Sequence, residues 1–443
     1  MQIRLPEKVK FIINQLENAG YEAYAVGGCV RDSLLNRIPD DWDITTSANP
    51  YQIKEVFPRT IDTGIQHGTV TVMLDHEGFE VTTYRIDGEY EDNRHPKEVI
   101  FTSNLIEDLK RRDFTINAMA YNEKSGIVDV FHGMDDLKNK KIRCVGEAKE
   151  RFTEDALRMM RAIRFSAQLG YEIEENTRFA ITELAPNLSH ISAERIQTEL
   201  VKLLVSPNPD YIRTAYDVGI TAIILPEFDK AMETRQNNPH HAYTVGEHLI
   251  HCVSNIRNDK ALRLAALLHD IAKPEVKETD ENGIDHFYHH VELGEKMAND
   301  ILRRLKFDNE TITKVKKYVK YHDYYIEPSA KAVRHAIALI GNTYFPEVLE
   351  LKRADMLAQS YYQRAEKEQN LNKINALYKE ILDKKECTSL KMLALTGSDL
   401  QSLGVPQGKE IGQLLTYLLE DVLDNPSHNT QEYLTTLIQQ KKS

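Results

Sequence analysis

The stretch GGCVRDSLLNRIPDDWDITT, residues 27–46, places a double glycine, an Arg-Asp pair and the aspartates Asp40, Asp41 and Asp43 close together. Asp41 and Asp43 are two residues apart, so on a strand they share one face, with Asp40 on the other and Trp42 packed inward. Neighbouring carboxylates repel unless a cation lies between them, and two divalent ions about 4 Å apart meet that need. Such a pair holds Mg²⁺ against a nucleoside triphosphate and activates a hydroxyl for in-line attack. The alternative is a solvated acidic turn after Pro39. Gly27-Gly28 ends a strand and opens a helix, so backbone N–H groups there can approach phosphate oxygens, and Arg31 can add a charge-assisted contact. A strand-glycine-helix junction also serves close packing alone. Glu80, in GFEVTTYR, is a candidate third acid.

A second set of polar residues can read a base. In EDALRMMRAIRF (154–165), Arg158, Arg161 and Arg164 recur every three residues, stepping round a helix by roughly 60°, while Leu157, Met160 and Ile163 supply an apolar side. Asp155 and Arg158 are spaced for an i,i+3 ion pair. The same two groups make a base reader: a carboxylate accepts from cytosine N4 or adenine N6, and a guanidinium donates to the adjacent acceptor. Uracil and guanine present the opposite order and leave buried groups unpaired. Arg161 and Arg164 would then face phosphate or RNA.

A third set consists of His248, His269-Asp270, His290, His322-Asp323 and Asp355. A lone histidine on an apolar helix is ordinarily a core residue. The ordered series H…HD…H…HD…D resembles the HD phosphohydrolase domain, which binds one or two divalent metals. That resemblance implies His248, His269, Asp270, His290, His322 and Asp355 as ligands, with His251 and His289 as bystanders. Mixed N/O donors suit Mn, Ni, Co or Fe at least as well as Mg²⁺.

The elements that must position these groups follow from the texture of the chain. Of 443 residues, 41% are hydrophobic and 28% charged, as in ordinary globular chains, and the length suggests two to four domains. YEAYAVGG, GTVTVML and FEVTTYRI read as strands, while helical spacing dominates from Phe152 onward. The expected architecture is α+β: a head with mixed sheet and helices (1–148), a helical neck (149–235), an HD-type helical domain (236–360) and a helical tail (361–443). Breaks at SPNPD, RQNNPHH and Gly341-Asn342-Thr343 punctuate the helices. Four cysteines without CxxC spacing read as reduced thiols. MQIRLPEKVKFIINQL lacks a signal-peptide core, and no run reaches membrane-spanning length, so a cytoplasmic location is expected. The net charge of −12 argues against non-specific coating of nucleic acid.

Together, GGCVRDSLL, DWDITT, TYRIDGEYEDNRHPKEVIF, RRDFTINAMA and EDALRMMRAIRFSAQLGY resemble the class II tRNA nucleotidyltransferases. These comprise CCA-adding enzymes and bacterial poly(A) polymerases, with a polymerase-β-like head. The resemblance, over about residues 22 to 205, implies metal-dependent addition of CCA to tRNA from CTP and ATP with release of pyrophosphate. It places catalytic Mg²⁺ on Asp41 and Asp43. The nucleotide falls to Gly28, Arg31, Arg112, Asp113 and Asn117, and Asp155 and Arg158 act as an amino-acid template. The polar segment RIDGEYEDNRHP (85–96) is the part that enzymes adding only CC shorten or lack, so its presence favours full CCA or terminal A addition. The motif usually has two arginines before its proline; here the second is His95. The implied partners are CTP, ATP and the tRNA acceptor arm, with the chain a monomer or homodimer. The rival expectations are an A-adding enzyme or poly(A) polymerase, an HD phosphohydrolase, and a tRNA-binding scaffold without turnover.

Overall fold

The sheet that carries the acidic stretch is built from β1 (Ala23–Val26), β2 (Ile44–Thr46), β3 (Thr60–Gly64), β4 (Thr69–Leu74) and β5 (Glu77–Thr83), and from two later strands. Between them, β6 (Arg85–Asp87) pairs with β7 (Val99–Phe101) as a separate antiparallel ribbon. β8 (Ala120–Asn122) and β9 (Gly126–Val128) complete the sheet in the order β3-β4-β5-β2-β1-β8-β9. β2 and β5 run parallel, with Ile44 opposite Val81; the other neighbours are antiparallel. The computed structural model describes residues 2–88 and 99–442, so most of the polar segment 85–96 lies outside the described residues.

Small and β-branched residues let the central strands sit between covering layers. Ala23, Ala25, Ile44, Val70, Val72 and Val81 are fully buried. Helix α1 (Glu7–Asn18) packs its buried Val9, Ile12, Ile13 and Leu16 against β1 and β2. α2 (Gly28–Leu34) leaves β1 directly, and α3 (Pro50–Val56) is closed by an Asn49/Gln52 capping box with proline at its first position. α4 (Leu105–Lys110) and α5 (Gly133–Asn139) flank the later strands. Helices then follow almost without interruption: α6 (Ala148–Glu154), α7 (Leu157–Leu169), α8 (Glu175–Leu184), α9 (Ala193–Leu204), α10 (Ile212–Asp217), α11 (Thr221–Ile224) and α12 (Pro226–Glu233). α7 packs along α9 and stops at Gly170, whose φ of 70° is the left-handed cap glycine accepts without strain.

Two compact units result, Met1–Pro226 and Glu227–Ser443. The segment expected as head and most of that expected as neck share the first unit, while residues 227–235 of the expected neck fall in the second with the segments expected as HD domain and tail. The second unit contains α13 (Val245–Ser254), α14 (Lys260–Leu268), α15 (His290–Arg304), α16 (Asn309–Tyr321), α17 (Ala330–Ile340), α18 (Phe345–Ala358) and α19 (Arg364–Asp383). α20 (Gly397–Ser402), α21 (Lys409–Asp424) and α22 (Gln431–Lys442) close the chain around a core of Leu400, Leu418, Val422 and Leu434. Among the described residues, no helix is long and apolar enough to cross a membrane.

Candidate active site

The end of β1, the approach to β2 and the loop before β8 meet at one edge of the sheet. Val26 N–H donates to Asp43 O at 3.0 Å, and Gly27 N–H donates to Met119 O at 3.1 Å. These bonds hold Gly27 at φ 82°, ψ −130°, a conformation that only glycine adopts readily. A Cβ at Gly27 would also sit 3.0 Å from Arg112 Nη1. Asp41 and Asp43 are not on a strand as expected: β2 begins at Ile44, and the acids occupy the extended approach to it, with Trp42 half-buried rather than fully inward. The strand ends there because the pairing of β1 with β2 gives way to the turn at Gly27.

A cavity of about 350 Å³ opens at this edge, lined by Gly27, Gly28, Arg31, Asp41, Asp43, Arg112, Asp113, Asn117, Arg161 and Arg164, with Asp32, Asp40, Phe165 and Lys202. Among the described residues, Asp41, Asp43 and Glu80 have no ion-pair partner. Crowding by surrounding atoms raises Asp43 above the ordinary carboxylate range; Arg112 pulls it down and Asp41 pushes it up. Glu80 is raised by burial and by the charges of Asp43 and Asp41. Carboxylates close enough for their charges to be felt by one another are donors of the kind a hard divalent ion takes.

The cationic wall is fixed by partners that motif spacing did not single out. Arg31 donates from Nε and Nη2 to the two oxygens of Asp32, each at 2.9 Å, and from Nη1 to Asn117 Oδ1 at 2.6 Å. Asn117 in turn donates to Asp113 Oδ1 at 3.2 Å, and Arg161 Nε donates to Asp113 Oδ2 at 2.8 Å. Burial acts to raise Asp113, but the charge and hydrogen bond of Arg161 outweigh it and bring the carboxyl down to about 2. Buried Asp108 pairs with both Arg111 (2.8 Å) and Arg112 (3.4 Å); its i,i+4 spacing to Arg112 was the available signal.

The arginines of α7 do not form an open cationic face. Arg158 and Arg164 are buried: Arg158 lies against Arg151 and Glu154 of α6 and Arg111, and Arg164 against Glu199 of α9. Arg164 pairs with Glu199 at 2.6 Å and lies 3.8 Å from the centre of the Phe165 ring. Asp155 and Arg158 are absent from the residues lining the cavity, and they do not form the i,i+3 pair. Asp155 accepts from Arg195 at 2.7 Å, while Arg158 donates to Glu154 at 2.6 Å and to Arg111 O at 3.2 Å. Arg158 still lies close enough to Asp113 to lower its pKa.

Three family models match in order along the chain: the poly(A) polymerase head domain (23–143), the probable RNA- and SrmB-binding site of polymerase A (170–232), and the putative tRNA nucleotidyltransferase domain 2 (276–438). All three are models of the domains of poly(A) polymerases and tRNA nucleotidyltransferases. The chain is 54% identical to the CCA-adding enzyme of Leuconostoc mesenteroides subsp. mesenteroides over 194 residues, 44% of this chain and 48% of that one. It is 48% identical to that of Lactobacillus helveticus over 242 residues, 53% and 60% of the two chains. The chain thus spans about half the length of the curated relatives it matches. The structure of the Bacillus stearothermophilus CCA-adding enzyme in complex with CTP superposes with a TM-score of 0.72 at 28% identity, covering 99% of this chain and 98% of that one. The Thermotoga maritima CCA-adding enzyme complexed with tRNA shares the fold, with a TM-score of 0.59 at 21% identity and full coverage of both chains.

The second unit of the chain brings its six sequence-selected residues together. α14 is buried along its whole length, so its C-terminal end delivers His269 and Asp270 into the interior. His248 comes from α13, His290 from the start of α15, His322 from the end of α16 and Asp355 from α18. His248 Nε2 lies 3.2 Å from His269 Nε2 and 3.0 Å from Asp355 Oδ1. The Nε2 atoms of His290 and His322 lie 3.4 and 3.5 Å from Asp270 Oδ1. On the outer side, the Nδ1–H groups of His269, His290 and His322 donate to the carbonyls of Ala266, Phe287 and Val319 at 3.0, 2.7 and 2.7 Å. In the neutral rings these bonds place the proton on Nδ1 and leave the Nε2 lone pairs facing inward, the arrangement metal-binding histidines require. Asp270 Oδ1 is buried without a hydrogen-bond donor. Burial acts to lower His269, but Asp270 and Asp355 raise it to about 10. The bystander His251 instead packs on Tyr243, ring centres 4.3 Å apart. Lys273, whose Nζ lies 2.6 Å from Asp270 Oδ2, and Lys367, which lines the same cavity, were not anticipated.

Proposed function

We propose that this chain adds CMP and AMP to the 3′ end of tRNA from CTP and ATP, releasing pyrophosphate, in the cytoplasm. The observation that carries this reading is the cavity in which Asp41 and Asp43, without an ion-pair partner among the described residues, share a lining with guanidinium groups held by Asp32, Asp108, Asp113 and Asn117. The names of its relatives and the CTP complex of the B. stearothermophilus enzyme support the same assignment.

Asp41 and Asp43 would hold Mg²⁺, with Glu80 beside them. Bound there, the ion supplies charge neutralisation and lowers the pKa of the attacking hydroxyl. The tRNA 3′ oxygen bonds to the α-phosphorus while the bond to pyrophosphate breaks. Arg112 and Arg161 stabilise the charge that builds on the phosphoryl oxygens, and their fixed ion pairs mean that no reorganisation accompanies the step. Gly27 and Gly28 admit the triphosphate to the backbone where a side chain would exclude it. Asp155 and Arg158 read the amino face shared by cytosine and adenine, a role that requires them to leave the contacts seen here with Arg195 and Glu154.

The test is incorporation of labelled CTP and ATP on tRNA lacking CCA, tRNA ending in CC, and unstructured RNA. CMP followed by AMP on tRNA alone is expected, with Asp41→Asn reducing the rate at least a thousandfold. AMP incorporation alone would establish an A-adding enzyme, and tailing of unstructured RNA a poly(A) polymerase. The converging Nε2 atoms favour a second reading for residues 227–443: a metal-dependent phosphohydrolase centre of HD type. It would hold Mn, Ni, Co, Fe or Mg through His248, His269, Asp270, His290, His322 and Asp355.

A further inference from the structure

The ligand cluster of the second unit opens into two cavities. One, of about 350 Å³, is walled by His240, His241, Lys273, His286 and Tyr288. The other, of about 310 Å³, is walled by Tyr325, Ile326, Met356, Asn370, Leu371 and Ile374. Both are also lined by His322, Asp323, Asp355, Gln359 and Lys367, so they meet at the ligands. A phosphorus centred at that junction has room for an organic substituent on each side. A phosphomonoester would fill only one arm, whereas a phosphodiester fills both.

Charge and ring chemistry narrow the ligand further. Lys367 stands at the junction, donating to Gln359 Oε1 at 2.7 Å and lying 3.2 Å from His240 Nδ1. Among the described residues, no carboxylate lies within ion-pair distance of its ammonium. One uncommitted positive charge complements the single negative charge of a diester. Each arm also carries an exposed aromatic ring: Tyr288 is 58% exposed in the first and Tyr325 is 79% exposed in the second. Tyr288 is held flat by stacking on His286, the ring planes 4° apart. Exposed rings on both sides of a cation are the elements with which proteins hold successive bases of a single strand.

We propose that this cluster binds single-stranded RNA, seating one phosphodiester beside Lys367 with the flanking bases stacked on Tyr288 and Tyr325. The proposal rests on the phosphohydrolase reading of the cluster. Hydrolysis there joins a water oxygen to phosphorus and breaks one ester P–O bond, and the proton of the water passes to the departing ribose oxygen.

The experiment uses the full-length protein. In EDTA, fluorescence anisotropy with a labelled oligouridylate is expected to show binding that Tyr288→Ala and Tyr325→Ala each weaken about tenfold. With Mn²⁺, bis(p-nitrophenyl) phosphate should be cleaved faster than p-nitrophenyl phosphate, and Lys367→Met should raise KM for the diester more than it lowers kcat. Oligouridylate affinity unchanged in both tyrosine variants, or faster cleavage of the monoester, overturns the proposal while leaving the metal centre standing. If neither ester is cleaved, and Mn²⁺ binding by calorimetry is the same in His269→Ala as in the parent, the phosphohydrolase reading itself fails.

Discussion

Burial holds Asp43 and Glu80 above the ordinary carboxylate range, and the charge of Asp41 adds to the shift in both. Asp113 is the opposite case, a buried carboxylate overcompensated by Arg161. Its pKa is lower in the folded chain than in the unfolded one. Its contribution to stability is therefore complete above about pH 4 and disappears as pH falls towards 2, amounting to on the order of 2 kcal/mol. Asp113→Asn should lower Tm at pH 7, and the gap to the parent protein should close between pH 4 and pH 2 in scanning calorimetry. At Gly27 the backbone sets the limit. Gly27→Ala should cost about 1–3 kcal/mol from its positive φ alone, and the methyl group would press on Arg112. A rise of tenfold or more in KM for CTP, read from steady-state incorporation, is the expected outcome. The D-x-D spacing and the double glycine were legible in the sequence because both are local patterns. The exact start of β2 was not, since it depends on where pairing with β1 ends.

At the scale of elements, α7 and α9 act as one device. α9 supplies Arg195 to Asp155 and, one turn later, Glu199 to Arg164, so a single helix pins both ends of the arginine-bearing helix. The sequence showed the three arginines at threefold spacing but could not show that α9 engages Arg164, because the carboxylate partner Glu199 lies 35 residues away. Glu154 competes with any base for Arg158, and Arg195 competes for Asp155. Arg195 therefore sets how readily the carboxylate turns to a nucleotide. Arg195→Met is expected to raise the preference for CTP over UTP about tenfold, a gain on the scale of one charge-assisted hydrogen bond. Single-turnover incorporation with each nucleotide measures it. Loss of rate with an unchanged CTP/UTP ratio would assign Arg195 to stability alone.

At the scale of the whole molecule, the donors proposed for metal in the two compact units differ in kind. Asp41, Asp43 and Glu80 offer only oxygen, whereas the second unit offers four imidazole nitrogens and two carboxylates. The ordered histidines and aspartates were readable along the sequence as a series. What the series could not convey is that the backbone carbonyls of Ala266, Phe287 and Val319 orient three of the rings. Preorganised nitrogen donors should bind Mn²⁺ or Ni²⁺ tightly enough to stabilise the folded state of that unit. At a hundredfold excess over Kd the linkage amounts to about 2.7 kcal/mol, which corresponds to a rise in Tm of roughly 5–10 °C for a unit of this size. Calorimetry with and without Mn²⁺ should show that rise in the parent protein and in Asp41→Asn, and its loss in His269→Ala. A rise that survives His269→Ala but vanishes in Asp41→Asn would move the tight transition-metal site to the first unit, and the imidazole cluster would then be a hydrogen-bonded core.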